Sequence, residues 1–178
     1  VIDRMQNELD SSFEVEASGR HVHLSRKELD ALFGTGYELT KAKDLSQPGQ
    51  YASKERLTVV GPKGAFHNVV ILGPVRKESQ VEISLTDCLQ LGVKAPIRES
   101  GDIEGTPGIV LVNGDKSVSL DKGLIVAKRH VHMTPEDAEK IGVKNHDIVK
   151  VKVEGARPLI FDDVVIRVSP KFATYMHI

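Results

Sequence analysis

Two stretches, Arg56 to Leu72 and Ile148 to Val168, read as strand pairs folded about turns, Gly61-Pro62-Lys63-Gly64 in one and Glu154-Gly155 in the other. Each pair runs on to a proline, Pro74 or Pro170, and then to another alternating segment. In the first of these Val81, Ile83 and Leu85 alternate with Glu82, Ser84 and Thr86, the period-2 pattern of a strand. Phe13 to Ala17 and Gly123 to Ala127 are β-like as well. Helical signals are short. Ser25-Arg26-Lys27-Glu28 fits a capping box for a helix ending at Gly34, and Thr134-Pro135-Glu136-Asp137 combines a capping hydroxyl with proline at the first helical position, ending at Gly142. Thr86 to Leu91 predicts a third short amphipathic helix. The pattern predicts a mainly β fold of two related small β-barrels or curled sheets, each capped by a short α-helix.

The relation between the two halves is visible in the residues. Arg20-His21-Val22-His23-Leu24-Ser25 recurs 109 positions later as Arg129-His130-Val131-His132-Met133-Thr134, which reads as an internal duplication. Aligning Pro74 with Pro170, with one residue of slip, sets Gln80-Val81-Glu82-Ile83 beside Tyr175-Met176-His177-Ile178. Glu82 and His177 then become equivalent. The predicted halves are residues 1–92, which include an N-terminal segment and an insert loop from Thr35 to Ser53, and residues 93–178. The second begins with a linker, Val93 to Asp121, that carries a hairpin signal at Asn113-Gly114. An insert that breaks a repeat is a place to look for function.

Composition narrows the chemistry. The 178 residues carry a formal charge of -1, with 4% aromatics and no Trp, so neither a polyanion field nor a base-stacking platform is expected, and nucleic acid and membrane are poor partners. No apolar run approaches a membrane span and no leader opens the chain, which predicts an intracellular protein, with a processed or trimmed start at Val1. Cys88 is the single cysteine, which excludes internal disulfides and thiolate zinc clusters and leaves nitrogen and oxygen as metal donors. Its place in a short amphipathic helix predicts a buried free thiol. Serine-hydrolase, P-loop and dinucleotide fingerprints do not occur.

On a strand, His21 and His23 project to one side with α-carbons about 6.6 to 7 Å apart, close enough for both rings to bind one ion, and His130 and His132 match them. A third ligand in each half would leave a tetrahedral ion one open position, as catalytic zinc sites do. The repeat nominates Glu82 and His177, although Glu82 also reads as an ordinary half-exposed strand residue. Arg76, six residues before Glu82, is either a phosphate-binding guanidinium near the metal or a surface cation. Ser18, Gly19, Arg20 and Lys43 are further candidates for anion contact. His67 and His146 lack a partner at ligand spacing and read as turn or surface residues.

The paired Arg-His-Val-His motifs, with Gly73-Pro74-Val75-Arg76 and Gln80 to Asp87 between them, resemble the PduL-type phosphotransacylases, the phosphate propanoyltransferases, from about Ser18 to His177. The resemblance implies a two-zinc enzyme that exchanges coenzyme A and phosphate on a short acyl group, propanoyl in the usual case. It implies one zinc on His21, His23 and Glu82, a second on His130, His132 and His177, and Arg76 on phosphate. Acyl-CoA, CoA and phosphate would be its small-molecule partners. The family's chains continue beyond the Met176-His177-Ile178 stretch. Its members are bacterial cytoplasmic proteins, often housed in microcompartments among lumen proteins and led there by an N-terminal peptide, and a homo-oligomer is an open expectation. Val1 to Asp10 reads as a remnant of that peptide or as a connecting helix. A zinc-dependent hydrolase of a thioester or ester, and a non-catalytic metal-binding assembly module, are the competing readings.

Overall fold

The computed structural model describes residues 12–178; the segment Val1 to Asp10 lies outside the described residues. In chain order the elements are β1 (Glu14–Glu16), β2 (His21–His23), α1 (Arg26–Phe33), β3 (Lys41–Asp44), β4 (Tyr51–Val60), β5 (Ala65–Gly73), β6 (Gln80–Glu82) and α2 (Leu85–Leu91). They continue with β7 (Ile97–Arg98), β8 (Val110–Asn113), β9 (Lys116–Ser119), β10 (Leu124–Ala127), β11 (His130–Met133), α3 (Pro135–Ile141), β12 (Ile148–Val153), β13 (Leu159–Val168) and β14 (Tyr175–His177). The fold is mainly β, as the alternation predicts. No helix among the described residues is long and apolar enough to cross a membrane.

Contacts divide the chain into two compact units. The larger holds Gly19–Leu45 and Gly49–Ala127; the smaller holds residues 12–18, Ser46–Pro48 and Lys128–Ile178. In the larger unit the strands run β7-β10-β6-β2-β5-β4-β8-β9, with β3 also on β4. Val22, Leu24, Leu57, Ile71, Val81, Leu111 and Leu124 lie in its core. The smaller unit is a sheet in the order β1-β14-β11-β13-β12 over a core of Val131, Met133, Val164, Ile166 and Met176.

The same local pairing recurs in both sheets. β2 lies between β5, parallel, and β6, antiparallel, with His21 opposite Val70 and Glu82. β11 lies between β13, parallel, and β14, antiparallel, with His130 opposite Val165 and His177. Even a backbone irregularity is shared, since Asn68 and Asp163, each two residues before the valine that pairs with the first histidine, have φ of 58° and 53°. Both predicted hairpins form, β4 with β5 and β12 with β13. At the first turn Gly61 is required, because a Cβ there would sit 2.4 Å from the Leu91 carbonyl oxygen.

The predicted halves 1–92 and 93–178 are corrected by the strand pairing. β10, which precedes the second histidine motif in sequence, pairs in parallel with β6 of the first, through Leu124 opposite Val81 and Ile125 opposite Glu82. β1, which precedes the first motif, pairs in parallel with β14, through Val15 opposite Met176 and Glu16 opposite His177. Each leading strand therefore completes the other repeat's sheet. Parallel neighbours cannot be joined by a tight turn, so a remote strand is a natural source for such an edge. The segment Val93 to Asp121 is not a free linker either: β8 pairs with β4, and β8 with β9 forms the hairpin expected at Asn113-Gly114.

The helix starts are where predicted, with one change of chemistry. Ser25 is the N-cap of α1 but makes no side-chain cap bond. Its hydroxyl donates to the Glu28 carboxylate, which also accepts from Ser79 Oγ at 2.8 Å, while the Ser25 amide donates to Ser79 Oγ at 2.8 Å. The reciprocal capping box occurs instead at α2, between Ser84 and Asp87. α3 has the predicted Thr134 cap, accepting from the Asp137 amide at 3.1 Å, and Pro135 in its first turn.

Candidate metal centres

In the larger unit all three residues of β2 are buried. Val22 fills the core on one face of the strand, so His21 and His23 project from the other. Antiparallel pairing with β6 sets Glu82 directly opposite His21. Glu82 is 7% exposed, not the half-exposed strand residue that its local alternation permits. Its Oε2 lies 3.5 Å from His21 Nε2 and its Oε1 3.8 Å from His23 Nε2. Ligands 2.0–2.1 Å from a tetrahedral ion stand about 3.4 Å apart, so little adjustment would let the three atoms share one cation.

The smaller unit brings together His130, His132 and His177, whose ligand atoms lie within 4.8 Å of one another, as do those of His21, His23 and Glu82. The rings of His130 and His177 stack at 5.2 Å between centroids, and His132 meets His177 at 5.0 Å. One group therefore offers two nitrogens and an oxygen, the other three nitrogens. Such borderline donor sets suit zinc among divalent ions.

The backbone prepares the rings. His21 Nδ1 donates to the Gly19 carbonyl at 2.9 Å, and His130 Nδ1 donates to the Lys128 carbonyl at 2.8 Å. A carbonyl only accepts, so each Nδ1 carries the proton and, in the neutral ring, each Nε2 keeps its lone pair for a cation. His23 Nδ1, by contrast, is buried with no hydrogen bond of normal geometry.

Electrostatics in the larger unit's centre favour an unprotonated His23. Burial, reinforced by the neighbouring His21 and Arg76, pushes its pKa down to about 3. Burial also opposes charge on His21, but attraction to Glu82 outweighs it and holds the pKa above the usual histidine value. Burial alone would raise the Glu82 pKa; the two histidines and a hydrogen bond from Ser100 hold it well below the usual carboxylate range. A buried carboxylate kept ionised beside a neutral imidazole is a suitable nest for a cation.

Arg76 is fixed at the backbone, its amide donating to the Leu24 carbonyl at 2.9 Å, one residue beyond His23. Its Nη1 donates to Ser100 Oγ at 3.2 Å. The proposed anion contacts are less uniform. Arg20 grips Asp87 through Nε at 3.1 Å and Nη2 at 2.8 Å and lies 4.0 Å above the Phe66 ring, so much of its donor fork already serves the fold. Gly19 contributes the carbonyl that fixes His21, and the Ser18 amide donates to the Ile178 carbonyl at 2.8 Å. Lys43 is exposed on β3 opposite Ala52.

Several supporting residues escaped the sequence reading. In the smaller unit Glu16 Oε2 sits 3.6 Å from His177 Nδ1 and accepts from Ser46 Oγ at 2.6 Å. The insert also supplies Gln47, only 4% exposed, which bonds the Ala173 backbone four residues before His177. In the larger unit Gln80 and Ser100 flank Glu82. Asp87 was legible, since Ser84-Leu85-Thr86-Asp87 is a capping-box string; Ser46, Gln47 and Ser100 sit in irregular segments with no periodic signal. His67 and His146 behave as expected, one exposed on β5 and sharing a 3.1 Å bond with Thr58, the other in an exposed turn with φ of 68°.

The profile of a family described as Phosphate propanoyltransferase matches residues 14–178. A phosphate propanoyltransferase of Enterococcus faecalis is 70% identical over 178 residues, covering 100% of this chain and 84% of that protein. One from Listeria monocytogenes is 68% identical over 170 residues, 96% of this chain and 80% of that protein. One from Thermotoga maritima is 62% identical over 165 residues, 92% and 79% respectively.

Proposed function

The chain belongs to the phosphate propanoyltransferase family, and from that premise we propose that it interconverts a short-chain acyl-CoA, propanoyl-CoA in the first instance, plus phosphate with acyl phosphate plus CoA at a two-zinc site. The observation that supports the metal assignment is the repeated register, which sets Glu82 opposite His21 and His177 opposite His130 on strands that each carry a second histidine.

His21, His23 and Glu82 would hold one zinc, and His130, His132 and His177 the other. Zinc, when bound, supplies Lewis acidity and positive charge toward the thioester sulfur, the carbonyl oxygen and phosphate. Arg76 binds phosphate through its planar fork and offsets its charge. The Gly19 and Lys128 carbonyls hold the rings of His21 and His130 in one tautomer, so no reorganisation is needed at the moment of reaction. A phosphate oxygen attacks the acyl carbon, the carbon–sulfur bond breaks, and CoA leaves as the thiolate. No side-chain nucleophile takes part, and Cys88, the single thiol, is buried.

The test is metal analysis of the purified protein together with CoA release from propanoyl-CoA, with and without phosphate. Two zinc ions per chain and release that depends on phosphate are expected. His132→Ala should lose one zinc and the activity, whereas Arg76→Ala should mainly impair phosphate use. Release at the same rate without phosphate would replace the transferase by a zinc hydrolase. Metal without any turnover would leave an assembly module, and full activity in both variants would discard the site assignment.

A further inference from the structure

We propose that Ser100 and Gln80 form a positioning bridge that holds the metal ligand Glu82 and the phosphate-binding Arg76 in fixed register with each other. The inference rests on the proposed roles of those two residues and adds the device that sets their geometry.

Gln80 is 2% exposed, and a buried amide is costly unless its hydrogen-bonding groups are satisfied. Its Nε2 donates to Glu82 Oε1 at 2.6 Å and to Ser100 Oγ at 2.9 Å, which uses both amide hydrogens. Its Oε1 accepts from the Gly101 amide at 2.8 Å. That last bond fixes the amide orientation, because a backbone N–H can point only at the oxygen.

Ser100 completes the link. Its Oγ accepts from Gln80 and from Arg76 Nη1 at 3.2 Å, so both lone pairs are engaged. Ser100 is also among the groups that hold the Glu82 carboxyl below the usual carboxylate range. One hydroxyl thus touches the cation meant for phosphate and the amide that orients the metal ligand. With Glu82 Oε1 held by Gln80, Oε2 is left toward His21 Nε2. A residue needed for folding alone would not have to join these two groups. Ser100 lies in the segment that the sequence presents as a linker between repeats, so its place at the centre is a product of the tertiary fold.

The experiment uses the full chain and the variants Ser100→Ala, Ser100→Thr and Gln80→Leu, with inorganic phosphate and zinc as probes. Ser100→Ala should keep two zinc ions and its melting temperature, raise KM for phosphate about tenfold, and leave KM for propanoyl-CoA nearly unchanged; Ser100→Thr, which restores the hydroxyl, should recover most of the loss. Gln80→Leu should weaken zinc at the centre containing Glu82 by about 10–100-fold in a competitive chelator titration, while the all-histidine centre keeps its affinity. An unchanged phosphate KM in Ser100→Ala, or a proportional loss in every parameter that threonine does not rescue, would overturn the bridge. Should Gln80→Leu fail to fold, the half-buried Ser100 variants decide alone. Wild-type protein without zinc or without phosphate dependence would instead remove the functional reading on which the bridge rests.

Discussion

The guanidinium of Arg20 is locked onto Asp87 by two hydrogen bonds of 3.1 and 2.8 Å, and the same carboxylate closes the capping box of α2 through the Ser84 amide. One acidic group thus ties the residue that leads into His21 to the helix that follows Glu82. Asp87 is buried, and removing its side chain would leave Arg20 without its partner and the Ser84 amide without its acceptor, breaking one half of the capping box. Asp87→Ala should destabilise the protein by about 2–3 kcal/mol, read by denaturant unfolding. Hydrogen bonding to Arg20 and Ser84 outweighs burial and lowers the Asp87 pKa, so its contribution is present above the unfolded carboxyl pKa and is lost as pH falls through the folded one. A change below 0.5 kcal/mol would contradict this role.

Gln47 imitates a strand edge, donating to the Ala173 carbonyl at 3.0 Å and accepting from the Ala173 amide at 3.3 Å. Gln47→Ala should release the chain that leads into β14 and therefore loosen His177. Hydrogen exchange at Thr174 to His177 should speed up, and zinc affinity at the all-histidine centre should fall while the Glu82 centre is spared. Equal weakening at both centres would refute the local account.

The pH response of the metal-free protein should carry the mark of His23. Its folded pKa of about 3 lies below the ordinary 6.5, so between those values the unfolded chain binds the proton and the folded one does not. The neutral form is no handicap above pH 6.5; below it, stability declines as pH falls toward 3. His21, whose folded pKa is raised, acts in the opposite sense, contributing stability below its unfolded pKa that is lost as pH rises through the folded value. His23→Gln should flatten the acid side of a melting-temperature profile, and an unaltered slope would show that His23 does not govern it.

Zinc that binds the folded protein and not the unfolded chain should raise stability by mass action, about 4 kcal/mol per site when free metal is a thousandfold above Kd. Chelation should therefore lower the melting temperature, with readdition of zinc restoring it. A melting temperature indifferent to chelator, with the metal shown by analysis to be gone, would argue against both centres.

Cys88 is 6% exposed, so a thiol reagent should label it slowly in native protein and at once in denaturant. Rapid native labelling would indicate that α2 opens far more readily than its packing implies.

Much of this architecture follows from local order in the chain. Alternating residues marked the hairpins, Thr134-Pro135 and Gly142 bounded a helix, and the recurrence of Arg-His-Val-His, with the equivalence of Glu82 and His177, nominated both ligand sets, because period and repetition are properties of neighbouring residues. What only the tertiary structure decided are the choices between remote partners. Nothing near Glu14 says that β1 will join β14, nor anything near Leu124 that β10 will join β6, because parallel edges are chosen by burial and backbone satisfaction across the whole chain. Ser100 on Gln80, Gln47 on Ala173 and Arg20 on Asp87 belong to the same class: short polar contacts, 20 or more positions apart, that leave no period to read.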